Sequence, residues 1–186
     1  MNGYNCHTSV QRHLSHWQGL IPLGWIVCAM RGPCIFSFIT LIGTVSISED
    51  GEGRITGVYL PNSNLPAMDD HETDTLSEAA AQLEEYFSGK RREFDLELSY
   101  EGSGFRMAVL DSIRRIPYGE VRTYGDIAKD AGSPNAYRAV GTVCSENLIP
   151  IIIPCHRVVP ATGGIGNYTG GTAMKKRLLD HERSMD

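Results

Sequence analysis

Chemistry in this 186-residue chain concentrates at Pro154-Cys155-His156-Arg157. A thiolate is the nucleophilic form of cysteine, and a free thiol with a pKa near about 8.5 is mostly protonated at neutral pH. An imidazole and a guanidinium beside the sulfur favour the thiolate, which is the preparation a covalent nucleophile requires. Neighbouring side chains of an extended backbone point to opposite sides. The reading is therefore a relay, in which water carries the Cys155 proton to His156 and a distant carboxylate anchors the imidazole. Upstream, Ile151-Ile152-Ile153 is a stiff β-branched run that delivers Pro154, whose ring fixes the backbone directly before the cysteine. Downstream, the glycine-rich residues 163–171 can bring backbone close to a flat ligand. A cysteine alone beside a core histidine is usually inert packing. The four adjacent residues together with the glycine-rich loop favour a reactive site.

Such a site needs a frame. Phe105, Ala108, Val109, Ser112, Ile113 and Ile116 recur at helical spacing, and Pro117-Tyr118-Gly119 stops them. Thr123-Tyr124-Gly125-Asp126 reads as a capping box opening a short helix that ends near Gly132. Ser133 and Pro134 then supply an N-cap and a first-position proline for a third helix reaching about Glu146. Two helices across a tight turn make a helix-turn-helix candidate. In the first half, residues 36–48 and 54–60 read as the strands of a hairpin around the turn cluster 49–53. A polar loop covers residues 61–73, and Thr75-Leu76-Ser77-Glu78 opens a helix that Gly89 ends. Residues 94–98 alternate in the manner of a short strand.

The net charge of −5 excludes a generic nucleic-acid-coating protein, but it divides into −8 over residues 1–105 and +3 over residues 106–186. The C-terminal half is thus the part able to face an anion. Five scattered cysteines give poor support for a disulfide framework and point to reduced thiols in the cytoplasm. Cys6, His7, His13, His16 and Cys28 lack a tight metal-ligand spacing. The apolar stretch 20–45 is divided by Arg31-Gly32-Pro33, so neither piece is long enough to span a membrane. Met30 offers an internal start that would make residues 1–29 a dispensable extension.

At these motifs the chain resembles the O6-alkylguanine-DNA alkyltransferases, or methylated-DNA–protein-cysteine methyltransferases. Pro154-Cys155-His156-Arg157-Val158-Val159 matches their active-site signature. The likeness runs on through residues 116–120, Thr123-Tyr124-Gly125, Arg138-Ala139-Val140-Gly141, Asn147, residues 166–171, and Lys175 to Glu182. It is close over 104–183 and looser over 36–103. The resemblance implies an α+β protein in three parts: an extension (1–35), a small ribonuclease-H-like α/β domain (36–101) and a mainly helical domain carrying the helix-turn-helix and the cysteine (102–186). It implies single-turnover repair, with Cys155 taking the alkyl group from O6-alkylguanine, and from O4-alkylthymine as a second substrate, without metal or organic cofactor. The partner would be double-stranded DNA carrying the lesion. The protein would act as a monomer in the cytoplasm, with nuclear access in a eukaryote.

By the same resemblance His156 and Glu182 form the water-linked relay, and Tyr124 flanks the flipped nucleotide and protonates the departing guanine. Arg138 fills the vacated stack, while Gly125, Ser133 and Ala161 approach the DNA. Tyr168 and Thr169 line the base pocket, and Asn147, Pro154 and Arg157 give structural support. The chain departs from the family at Leu110, where Trp is common, at Leu148, where Pro is frequent, and at Thr142, where Gly is usual. Two other readings stand beside this one. A non-catalytic lesion-binding alkyltransferase-like protein would lack the nucleophile, so Cys155 speaks against it. A Cys-His hydrolase would need a base facing the thiol and an oxyanion hole, and would turn over repeatedly.

Overall fold

The computed structural model describes residues 32–184 apart from Asn62. The metal-spacing argument at Cys6–Cys28 and the alternative start at Met30 lie outside the described residues. Strands β1 (Cys34–Thr40), β2 (Gly43–Glu49), β3 (Ile55–Tyr59) and β4 (Asp69–Asp70) form one sheet in the order β3-β2-β1-β4, antiparallel except for the β1–β4 pair. The stretch 36–48, expected as a single strand, reverses at Leu41-Ile42 and supplies both β1 and β2. Gly43 permits the reversal with φ of 118°, and the Thr40 hydroxyl donates to Gly43 O at 2.8 Å. Apolar and β-branched residues continue through the turn, so composition alone does not mark it.

Helix α1 (Asp74–Phe87) packs on this sheet, with Leu76, Ala79, Leu83 and Tyr86 joining Val45, Ile47 and Ile55 in the core. Its N-cap is Thr73, which accepts from Leu76 N at 3.1 Å; Thr75, the expected cap, lies two residues further in. Residues 94–98 do not form the expected strand. Only Leu98 bridges Ile55, and the Gln82 amide takes the Asp95 backbone that a neighbouring strand would otherwise pair, at 3.0 and 3.1 Å.

The second half is helical: α2 (Gly104–Arg114), α3 (Tyr124–Asp130), α4 (Tyr137–Ser145) and α5 (Thr172–Ser184). A short parallel pair, β5 (Arg122–Thr123) with β6 (Val158–Val159), ties the entry of α3 to the segment after the cysteine. The predicted capping box is present: Thr123 Oγ1 accepts from Asp126 N at 3.1 Å, and Asp126 Oδ2 accepts from Thr123 N at 3.1 Å. The cap of α4 is a correction. Residues Ser133 to Ala136 close a turn through Ala136 N donating to Ser133 O at 2.9 Å, and the helix starts at Tyr137 without a side-chain cap. Pro134 therefore sits inside the turn, a position its fixed φ also suits.

The isoleucine run is the other correction. It is a tight turn and not a strand, with Ile153 N donating to Ile149 O at 2.9 Å and Ile151 at φ 75°. A β-branched residue in that region stores roughly 1–3 kcal/mol. Ile149, Ile151 and Ile153 are each at most 1% exposed, and their burial holds the turn. Among the divergent positions, Leu110 is buried in the core, whereas Leu148 is exposed and uses its carbonyl to accept from Val58 N of β3 at 2.8 Å. One continuous hydrophobic cluster reaches from Cys34 to Leu178. Among the described residues, no helix is long and apolar enough to cross a membrane.

Candidate active site

Cys155, His156 and Arg157 form a single 3-10 turn capped by Pro154, not the extended chain expected from the sequence. Cys155 is almost fully buried at the base of a cleft of about 620 Å³, between the start of α3, one side of α4 and the loop after β6. Asn147 does more than brace the turn. Its amide nitrogen donates to Cys155 Sγ at 3.2 Å and to Ile153 O at 2.9 Å, while its oxygen accepts from Ile149 N at 3.1 Å. Burial pushes the Cys155 thiol up, and the Asn147 hydrogen bond and the Lys175 ammonium pull it back.

Behind the thiol lies a carboxylate hub. Glu182, on the buried side of α5, is 0% exposed. Its Oε1 lies 2.8 Å from His156 Nε2 and accepts from Tyr86 Oη at 2.7 Å and Arg157 Nη2 at 2.9 Å. Its Oε2 accepts from Arg157 Nε at 2.9 Å and Gly119 N at 3.1 Å. Burial works against the charge of Glu182, but the hydrogen bonds from His156 and Arg157 hold the carboxyl well below the usual range. Burial, helped by the charges of Arg157 and Lys175, pushes the pKa of His156 down against the opposing pull of Glu182, so the imidazole is neutral at physiological pH. With Nε2–H donating to the carboxylate, Nδ1 is the lone-pair nitrogen, and it makes no hydrogen bond within the protein. Arg157 completes the frame by donating to Ile116 O at 2.6 Å.

The cleft itself is lined by Tyr124, Arg138, Cys144, Tyr168 and Thr169, among others. Burial raises the Tyr124 phenol above its ordinary value, which keeps it a donor. Gly166, at φ 72°, lets the loop pass close to Tyr124; a β-carbon there would sit 3.1 Å from Pro160 and 3.3 Å from Tyr124 Oη. Thr169 Oγ1 donates to Ser145 O at 3.1 Å, closing the loop against the end of α4. Arg138 is exposed in the first turn of α4, with its guanidinium 5.7 Å from the Tyr137 ring centre.

Cys155, Tyr124, Arg138, Tyr168 and Thr169 thus meet at one cleft, with His156, Asn147, Pro154, Arg157 and Glu182 behind it. Gly125, Ser133 and Ala161 are not among its lining residues; the first two lie on the helix-turn-helix and Ala161 is exposed on the loop after β6. Sequence reasoning missed Tyr86, the Gly119 amide and the buried Lys175, because each reaches the site from a distant segment. Only an acidic-side helix ending in Tyr-Phe-Ser-Gly and a lysine one turn before a Leu-Leu pair mark two of them. Among the described residues, no group of three or more His, Cys, Asp or Glu is placed to hold a metal ion.

Fold and site together define a helix-turn-helix protein in which a buried cysteine opens on the cleft beside the second helix, backed by a histidine–carboxylate pair. The chain belongs to the 6-O-methylguanine DNA methyltransferase family: residues 104–184 match that family's DNA binding domain and residues 39–100 its ribonuclease-like domain. It is 41% identical over 152 residues to the constitutive methylated-DNA–protein-cysteine methyltransferase of Bacillus subtilis, covering 77% of this chain and 92% of that protein. It is 39% identical over 150 residues to the methylated-DNA–protein-cysteine methyltransferase of Methanosarcina acetivorans, covering 79% of this chain and 96% of that one. Among solved structures, the Mycobacterium tuberculosis O6-methylguanine methyltransferase superposes with a TM-score of 0.75 at 36% identity, over 83% of this chain and 94% of that chain. A DNA complex of the same mycobacterial protein superposes with a TM-score of 0.76 at 35% identity, over 82% and 94%.

Proposed function

We propose that this chain repairs O6-alkylguanine in double-stranded DNA by moving the alkyl group once and permanently onto Cys155, acting as a monomer in the cytoplasm. The observation that carries the reading is the placement of Cys155: it faces a cleft walled by α4, the second helix of the helix-turn-helix, while the His156–Glu182 pair lies directly behind it. A lesion inside a duplex hides its O6 substituent, so the nucleotide must leave the stack, at a cost of a few kcal/mol. Arg138, exposed at the start of α4, is long and planar enough to occupy the gap.

The thiol proton passes through a water to His156 Nδ1, and Glu182 stabilises the imidazolium that forms. The thiolate attacks the alkyl carbon, forming the S–C bond as the C–O6 bond breaks. The bonding pair leaves with guanine, and the Tyr124 hydroxyl supplies a proton to the ring. Asn147 and Lys175 compensate charge on the sulfur before the displacement. The product thioether is a poor leaving group for hydrolysis, so one protein molecule performs one repair. By the same displacement O4-alkylthymine is a second substrate.

Incubation with a duplex containing O6-methylguanine should add one CH2 to the peptide carrying Cys155, in proportion to lesion lost. An intact lesion beside unmodified Cys155 would reject the proposal. Arg138→Ala is expected to weaken duplex binding and to reduce the dependence of log affinity on log salt by about one. Fluorescence anisotropy at several salt concentrations, on a Cys155→Ala background, reads that change without interference from transfer.

A further inference from the structure

One of the hydrogen bonds on Glu182 comes from the first half of the chain. Tyr86 lies in the last turn of α1, is 0% exposed, and donates from its hydroxyl to Glu182 Oε1 at 2.7 Å. This is the oxygen that also pairs with His156 Nε2 at 2.8 Å. Helix α5 holds the same residue a second time, with His181 Nε2 2.9 Å from Tyr86 O and the two rings edge-on at 5.5 Å. Phe87, Phe94 and Tyr118 pack around the tyrosine ring. Burial and the adjacent carboxylate keep the phenol well above its ordinary pKa, so it remains a donor throughout the working range.

We infer that Tyr86 is a positioning residue for alkyl transfer: its hydroxyl fixes Glu182 Oε1, so that the carboxylate holds His156 in the orientation and protonation state that receive the Cys155 proton. The inference rests on Cys155 being the alkyl acceptor. Three donors on one carboxylate oxygen lock its rotation, and each takes a share of its charge. Without the Tyr86 donor, Oε1 turns more of its charge on the imidazole. The proton affinity of His156 then rises, and its neutral, proton-accepting form retreats to higher pH. The first half of the chain thus contributes to the chemistry through one hydroxyl.

Two variants test this, Tyr86→Phe and 3-fluorotyrosine incorporated at position 86, each followed by single-turnover methyl transfer from an O6-methylguanine duplex as a function of pH. The phenylalanine variant is expected to bind duplex as the wild type does, to transfer about tenfold more slowly at neutral pH, and to show an acid limb moved to higher pH. Fluorine makes the phenol a stronger donor, so the fluorotyrosine protein should keep a rate near wild type with its acid limb moved to lower pH. An unchanged rate and pH profile in the phenylalanine variant, or a fluorotyrosine protein that shifts in the same direction as phenylalanine, overturns the inference while leaving Cys155 as the acceptor. If the phenylalanine variant does not fold, the direction of the fluorotyrosine shift decides alone. No transfer by the wild-type protein would overturn the reading of Cys155, and this inference with it.

Discussion

Glu182→Gln is expected to destabilise the protein by about 3–5 kcal/mol and to slow transfer on the order of a thousandfold or more. The carboxylate accepts from His156, Tyr86, both arms of Arg157 and the Gly119 amide, in a position without solvent exposure. Glutamine has the same shape but turns one acceptor oxygen into a donor. Either His156, Tyr86 and Arg157 Nη2, or Gly119 N and Arg157 Nε, then meet an N–H instead of a lone pair. Arg157, 4% exposed, loses its counter-charge and keeps only the remaining amide oxygen and the Ile116 carbonyl as hydrogen-bond acceptors. Breaking one side of a buried pair is costly because the other side stays buried and charged.

The chemical effect of Glu182→Gln has a separate cause, the loss of the carboxylate that sets the His156 tautomer. A pH series distinguishes the stability component. The folded-state pKa of Glu182 is depressed, so its stabilisation is complete above the ordinary carboxylate range and is lost progressively as pH falls below it. His156 is also depressed, so stability begins to fall once pH drops below the ordinary imidazole value, where the unfolded chain takes up a proton that the native state refuses. Chemical denaturation between neutral and acid pH should show both losses in the wild type. In the glutamine variant the carboxylate portion should be absent.

Legibility from sequence followed the range of the interactions. The α3 cap was readable because Thr123 and Asp126 satisfy each other three residues apart. The helical faces of α1 and α2 were readable for the same reason, since they are periodic within one element. Errors arose where a longer-range partner displaced a local preference. The Gln82 amide takes the Asp95 backbone out of a strand, and packing forces Ile151 into a left-handed turn that no β-branched run would announce. The helix at 74–87 is also capped two residues before its apparent capping box.

At the site, the cysteine and its histidine were legible from the Pro154–Arg157 segment itself, and the Asn147 brace and Glu182 were named through the family likeness. What the sequence did not contain was the convergence on one carboxylate. Tyr86 and Glu182 are 96 residues apart, and Gly119 contributes a backbone amide that carries no residue-type signal. The local rule that adjacent side chains diverge was also misapplied, since Cys155 and His156 lie on a 3-10 turn.

Lys175→Met is expected to slow transfer on the order of a hundredfold at neutral pH and to move the rising limb of the rate profile to higher pH. Lys175 is fully buried in α5, and its ammonium donates to Val158 O at 2.6 Å while lying 5.9 Å from the centre of the Tyr124 ring. Burial lowers its own pKa, opposed by the attraction of Cys155 and Cys144, and its positive charge favours the Cys155 thiolate. Methionine matches the length of the stem and is apolar, so packing changes little while the charge and the donor to Val158 O are removed. The thiol then rises further, and more of the barrier must be met by the His156 relay. Arginine at the same position would keep a charge but present a planar fork where the pocket accommodates a single ammonium. Single-turnover rates across pH, measured with thermal melts of the same samples, separate the two consequences. A fall in rate with an unmoved limb would mean that Lys175 acts only by holding the β6 carbonyl. A moved limb at nearly unchanged stability would identify the ammonium as the charge that prepares the sulfur.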